Sequence, residues 1–124
     1  MFKKVLCIFI FIVISFTIGC VSKDGITIND LKDYVEIIKP SGMHEDCFEM
    51  MPTDELEYFF ESSNTLAFNI HYHLDSKIFY AVEKDNLTID SGKFSPKIKE
   101  YYCLMWTNPH KEFVTLKYRY WIKK

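Results

Sequence analysis

The sequence predicts an all-β domain, an antiparallel β-sandwich of about seven to eight short strands, preceded by an N-terminal signal or anchor segment. Three observations predict it. Apolar residues recur at every second position in most segments after residue 32. These segments are rich in Val, Ile, Thr, Tyr, Phe and Trp, which strands favour. Turn-forming Gly, Pro, Asn and Asp separate the segments at short intervals, and no sustained helical period occurs.

The N-terminal residues form an export signal. Lys3 and Lys4 precede an uncharged apolar run that ends at Gly19 and Cys20. A small residue before Cys at the end of such a run resembles the lipobox of bacterial lipoproteins, which implies that Cys20 is acylated, with palmitate as the expected label, and becomes the mature N-terminus. Two alternatives stay open, an uncleaved transmembrane anchor and a signal that is cleaved without lipid attachment.

These features predict three segments: a lipoprotein-type signal peptide over residues 1–19, a polar tether over 20–32 and the sandwich domain over 33–124. Every alternative places the domain outside the cytoplasm, at the cell membrane or envelope. Loss of Lys3 and Lys4 with the signal takes the formal net charge from −2 to −4. A mildly acidic domain without a basic stripe is not expected to bind nucleic acid.

The cysteines divide by position. Cys7 lies inside the apolar run, and Cys20 is the predicted lipid site. Cys47 and Cys103 remain, and two thiols in an oxidising compartment predict one disulfide. A bridge across a chain segment of this length stabilises a fold by about 4 kcal/mol in the chain-entropy model.

The predicted strands follow one another after the tether. The clearest are "ELEYFFE", "TLAFNIHYHL", "KIFYAV", "NLTID", "IKEYYCLMW" and "EFVTLKYRYWI". In the second, one face carries Leu66, Phe68, Ile70, Tyr72 and Leu74, and the other includes Asn69, His71 and His73. In the last, one face carries Val114, Leu116, Tyr118, Tyr120 and Ile122. We expect these apolar faces to form the core.

With the strands in this order, residues 33–122 resemble the GOLD (Golgi dynamics) domain, the lumenal β-sandwich of eukaryotic vesicle cargo receptors. The resemblance rests on "CF" at 47–48, the strand through "LAFNIHYH", "SGKF" at 91–94, "YYCLMWTN" at 101–108 and the final strand "FVTLKYRYW". It implies a disulfide joining two sheets through Cys47 and Cys103, and a binding role. The glycine usual before the second cysteine is replaced by "IKEY", and the anchor stands at the other end, so the resemblance does not extend to trafficking.

Four residues form a predicted binding surface opposite the apolar face of the last strand. Phe113 and Trp121 are aromatic, and Lys117 and Arg119 lie between them. Aromatic side chains interleaved with cations suit a protein or glycan partner. The sequence shows no phosphate loop and no catalytic motif, so we predict a non-enzymatic binding module without a cofactor.

His71 and His73 raise the alternative function, a periplasmic protein that binds copper or zinc. Residues two apart in a strand share a face, so the two imidazoles stand side by side. Two ligands fall short of a zinc site, and the third would come from His44, Glu83 or Asp85. We favour a plain strand with a solvated histidine pair and no metal.

Overall fold

The structure, a computed structural model, describes residues 25–124. A 3-10 turn at Ile28–Asp30 is followed by six strands: β1 (Tyr34–Ile38), β2 (Met43–Met50), β3 (Glu55–Leu74), β4 (Lys77–Phe94), β5 (Glu100–Thr107) and β6 (Val114–Lys123). All pair antiparallel in one sheet. The predicted all-β antiparallel class is therefore confirmed. The predicted signal peptide and the lipid site at Cys20 lie outside the described residues.

The strands are fewer and longer than the seven to eight predicted. β3 contains both "ELEYFFE" and "TLAFNIHYHL", and β4 contains both "KIFYAV" and "NLTID". The polar residues between the predicted strands do not end them. The β3–β4 register instead shifts between Glu61 and Leu66, and Asn86 adopts a left-handed φ of 55° within β4. Bulges of this kind bend a strand without interrupting it.

The bend in β3 curls the sheet. Residues 55–62 of β3 pair with β6, residues 67–72 pair with β5 along the same edge, and β4 pairs along the other edge. The strand order is β1-β6-β3-β5-β2. Even so, Phe48 of β2 stacks on Tyr120 of β6 with 4.8 Å between ring centroids. Because β3 and β5 separate β2 from β6 in the sheet, this contact requires the sheet to curl until β2 faces β6 across the concave side.

The core occupies that concave side. Its fully buried members include Leu56, Phe60, Leu66, Phe68, Ile70, Tyr102, Leu104, Trp106, Val114 and Leu116. The predicted inward faces of β3 and β6 are confirmed over most of their length. At the strand ends burial fades, since Tyr72, Tyr120 and Ile122 are partly buried and Leu74 is exposed.

The Cys47–Cys103 disulfide is confirmed, and its position differs from the one that the GOLD resemblance implies. The two residues lie directly opposite each other on β2 and β5, with 4.1 Å between their Cα atoms. Their neighbours Phe48 and Tyr102 point into the core, so the bridge lies on the outer, convex face. It joins adjacent strands of one sheet rather than two sheets.

The side chain of Asn108, just after β5, connects the end of β1 to the β5–β6 loop. The side chain is fully buried, and its Nδ2 donates to the carbonyls of Ile38 at 3.1 Å, Lys39 at 3.2 Å and Glu112 at 2.8 Å. Its Oδ1 accepts from the His110 backbone N–H at 2.9 Å. The β1–β2 turn and the β5–β6 loop are thereby tied together.

No helix within residues 25–124 is long and apolar enough to cross a membrane.

Candidate functional site

A cleft of about 480 Å³ lies where the chain enters β1. β1 pairs only with residues 114–118 of β6, which leaves the rest of that edge of β6 without a strand partner in β1. Residues 31–36, Arg119 and Tyr120 line the opening, which we call the β1 cleft. The cleft therefore lies at the beginning of β1, beside the aromatic residues of β6.

An ion pair forms one side of the β1 cleft. Arg119 Nη1 lies 2.7 Å from Asp33 Oδ1, and the guanidinium carbon stacks 4.3 Å from the centroid of the Phe59 ring. A guanidinium held by both contacts has few alternative positions. Arg119 Nε is buried and has no hydrogen-bond partner among residues 25–124.

An aromatic surface continues from the cleft along the concave side. The ring of Tyr34 stacks on Tyr118 at 5.2 Å and on Tyr120 at 6.2 Å between centroids. Phe48 covers Tyr120 from β2. Tyr34 is 54% exposed, so the surface is open to solvent at this end. We call Tyr34, Phe48, Tyr118 and Tyr120 the aromatic wall.

A polar network lies beneath the aromatic wall. Tyr118 Oη donates to Asp46 Oδ2 at 3.0 Å and lies 3.0 Å from His44 Nε2. Since the phenol proton goes to Asp46, the tyrosine oxygen accepts from His44, which assigns the proton to Nε2. Burial, reinforced by Asp46, raises the pKa of Tyr120 to about 12 and that of Tyr118 further. Both phenols are therefore neutral donors at physiological pH.

Three residues of the predicted binding surface, Lys117, Arg119 and Trp121, alternate along β6 and share its convex face, and Phe113 lies outside the strand. Phe113 is 68% exposed in the loop before β6, and Trp121 is half-buried. Lys117 Nζ lies 3.8 Å from Glu61 Oε1, in a solvent-exposed pair. Arg119 belongs to the β1 cleft. The sequence identified one cleft residue, and it missed Tyr34 and Asp33, which precede the first clearly alternating strand.

His71 lies on the convex face, directly opposite Cys103. The predicted solvated pair holds for His73, which is exposed, but not for His71, which is only 2% exposed. His71 Nδ1 lies 2.7 Å from Asn69 Oδ1, and His71 Nε2 lies 3.9 Å from Glu45 Oε2. Burial lowers the pKa of His71, and the nearby Glu45 carboxylate offsets only part of this effect.

The residues expected to join His71 are not the ones found beside it. His44 points to the concave face, where it contacts Tyr118 and Trp106. Glu83 lies opposite Asn69 on β4, and neither it nor Asp85 joins the cluster around His71. A nitrogen of His71, a carboxylate oxygen of Glu45 and Cys103 Sγ instead lie within 4.8 Å of one another. The alternation of β2, which puts Glu45 on the face of Cys47, is the sequence signal for this placement.

Comparison with known proteins adds little to this geometry. No family model matches the chain. No curated protein matches it either. Among solved structures, the chain is similar to the solution NMR structure of a de novo designed double-stranded β-helix, with 11% sequence identity and a TM-score of 0.42. That match covers 73% of this chain and 100% of the designed chain. The GOLD resemblance stays a prediction.

Proposed function

We propose that this chain is a non-enzymatic binding module of the cell envelope that takes its ligand in the β1 cleft. The observation that carries the proposal is the aromatic wall, which is partly open to solvent and borders fixed polar groups. Ligand sites typically combine aromatic surfaces with a few well-placed hydrogen-bonding groups. The β1 cleft and the wall together have this composition.

The charges around the cleft favour an uncharged polar ligand. Lys32 and Arg119 balance Asp33 and Glu36, and Arg119 is already paired with Asp33. A strongly charged ligand would find no excess of opposite charge. Carboxylates accept hydrogen bonds from hydroxyl groups, the guanidinium donates them, and tyrosine rings stack against the apolar faces of sugars. A glycan is therefore the ligand class that we propose.

The polar network beneath the wall supports binding rather than catalysis. Tyr118 is 3% exposed, and its hydroxyl is held between His44 and Asp46. A buried phenol with a raised pKa is a poor nucleophile at neutral pH. The network orients the two tyrosines of β6, so its role is to hold the wall in shape.

We propose that the module is anchored outside the cytoplasm by a lipid on Cys20. The N-terminal sequence motivates the anchor, and the Cys47–Cys103 disulfide is consistent with an oxidising compartment. We also propose that the curled sheet is a variant of the GOLD-like sandwich. In this variant one half of β3 pairs with β6 and the other half pairs with β5, so that one strand continues from one layer into the other.

The ligand proposal is tested by titrating the oxidised mature protein with soluble oligosaccharides of the cell envelope. We expect Tyr34→Ala to weaken binding at least about tenfold, because a stacked aromatic at a binding hot spot contributes roughly 2 kcal/mol. Tyr101→Ala is the matched control, since Tyr101 is 61% exposed but lies on the convex face. Absence of glycan binding, or equal losses in the two variants, would contradict the proposal.

The anchor is tested independently in cells. Labelled palmitate should enter the wild-type protein and not Cys20→Ala, because only the thiol at this position matches the lipobox pattern. Native protein released into the medium, or labelling that survives the substitution, would exclude lipid attachment at Cys20.

A second function, metal binding, is favoured by the cluster around His71 rather than by the predicted His71–His73 pair. The two imidazoles pack edge to face, with 5.2 Å between centroids and 72° between planes. Glu45 and Cys103 instead place their ligand atoms within 4.8 Å of a ring nitrogen of His71.

A further inference from the structure

Four potential ligands lie together on the convex face. Cys47 is opposite Cys103 on the β2–β5 pair, and Cys103 is opposite His71 on the β5–β3 pair. Three adjacent strands thus place these side chains in one row across the sheet. Glu45 precedes Cys47 by two residues and shares its face. We call Glu45, Cys47, His71 and Cys103 the outer-face cluster.

The Glu45 carboxylate connects the two ends of the row. Its Oε1 lies 3.0 Å from Cys47 Sγ, and its Oε2 lies 3.9 Å from His71 Nε2. With Cys103 Sγ, the ligand atoms of Glu45 and His71 lie within 4.8 Å of one another. Adjacent ligands of a tetrahedral zinc ion are about 3.3–3.8 Å apart, so only small side-chain movements would be needed.

His71 has the orientation of a metal ligand. Its Nδ1 is hydrogen-bonded to the side-chain amide oxygen of Asn69, which assigns the ring proton to Nδ1 and leaves a lone pair on Nε2. Histidines that bind a metal through one ring nitrogen usually donate a hydrogen bond from the N–H of the other nitrogen to such an acceptor. Within residues 25–124, no group donates a hydrogen bond to Nε2. Its nearest charged neighbour is the Glu45 carboxylate.

The disulfide keeps this site closed. Each cysteine sulfur is bonded to the other and cannot act as a thiolate ligand. A dithiol reductant supplies two electrons and two protons, so the S–S bond breaks, two thiols form, and the reductant becomes a disulfide. A zinc ion that binds then displaces the two thiol protons into solvent.

We infer that the reduced protein binds Zn²⁺ through Cys47, Cys103 and His71, with Glu45 as the fourth ligand. Two thiolates, an imidazole and a carboxylate are all established zinc ligands, and four of them complete a tetrahedral site. Disulfide formation and metal binding then exclude each other, so the outer-face cluster couples the redox state of the protein to zinc. This inference does not depend on the ligand of the β1 cleft.

The experiment compares the oxidised mature protein with protein reduced by a phosphine, which avoids competition from a chelating dithiol. Calorimetry with Zn²⁺ should show one ion bound at micromolar or tighter Kd in the reduced form and no comparable binding in the oxidised form. Co²⁺ should report the same site through thiolate-to-metal charge-transfer absorption and the visible bands of tetrahedral geometry.

Two matched substitutions identify the histidine. His71→Gln should weaken zinc binding by more than the roughly 10- to 100-fold that the loss of an outer-shell partner costs. His73→Gln, at the exposed position on the same face, should leave the affinity unchanged. Glu45→Gln should weaken binding less than His71→Gln, because an amide oxygen can still coordinate.

Three results would overturn the inference: no zinc binding by the reduced protein, equal binding in both redox states, or equal losses in His71→Gln and His73→Gln. The third also covers a reduced chain that unfolds, since an unfolded chain does not distinguish the two histidines. Near-UV circular dichroism with and without Zn²⁺ provides a second readout, and zinc should preserve or restore the signal of the folded wild type only.

Discussion

One strand, β2, contributes side chains to both faces of the sheet, and the two faces differ in the chemistry that these side chains bring together. Its even-numbered residues His44, Asp46 and Phe48 face the concave side, and its odd-numbered residues Glu45 and Cys47 face the convex side. On the concave side Asp46 accepts from Tyr118, which accepts from His44, so these three side chains form a hydrogen-bonded chain. On the convex side the Nε2 of His71 lacks a donor among the described residues.

The difference indicates what each face can do. Hydrogen-bonded side chains under stacked aromatic rings give an ordered surface, which suits recognition of a ligand by shape and stacking. An imidazole nitrogen with a free lone pair beside a carboxylate and two sulfurs suits coordination of a cation. The two-residue period of the strand thus places the proposed recognition surface and the inferred metal site on opposite faces of the sheet.

The largest expected effect comes from the bridge on the convex face. The Cys47→Ser/Cys103→Ser double variant should lose about 2–5 kcal/mol of unfolding free energy, the usual effect of removing a native disulfide from a small secreted domain. Urea unfolding of wild type and variant measures the loss. Both cysteines should resist a thiol reagent in the oxidised native protein and react after reduction. Free thiols in native protein purified without a reductant would contradict the expectation.

How far the sequence predicts this fold depends on the range of the interaction. The alternation in "FVTLKYRYW" predicted the burial of Val114 and Leu116, because the direction of a side chain in a strand follows from local geometry. The pairing of Cys47 with Cys103 was predicted because the other two cysteines were already assigned. These conclusions needed no knowledge of which strands are neighbours.

The missed features depend on distant contacts or on ambiguous local signals. Ser and Asn residues occur in turns and in bulges alike, so β3 was predicted as two strands. No structural role was predicted for Asn108, whereas its side chain donates to three carbonyls from two separate segments. Glu45 comes near His71 only because β5 lies between β2 and β3 in the sheet.

A smaller effect should distinguish the concave face at alkaline pH. The pKa of Tyr120 is raised from 10.0 to about 12, chiefly by burial and then by Asp46. The folded state therefore holds this proton more tightly than the unfolded state. Its stabilising contribution is fully present below about pH 10 and is lost as the pH rises toward about 12. Unfolding free energies across this range should fall less steeply in Tyr120→Phe than in wild type.

Tyr101→Phe is the control for this measurement, since its hydroxyl lies on an exposed side chain of the convex face. That variant should follow the wild-type curve. If the two substitutions change the slope equally, the loss of stability does not come from the raised pKa of Tyr120.

The smallest expected effect distinguishes the convex face at acidic pH. Burial is the main cause that lowers the pKa of His71 from its ordinary 6.5. The unfolded chain binds a proton at this position near pH 6.5, whereas the folded protein resists protonation until the pH is lower. Protons therefore favour unfolding, and stability should decline as the pH falls from about 7 through 6.5 toward the lowered value. His71→Gln should flatten this decline in the oxidised protein, and the exposed His73→Gln should not. Equal slopes in wild type and His71→Gln would show that His71 is protonated as readily in the folded as in the unfolded chain, and that its Nε2 is not held as a free lone pair.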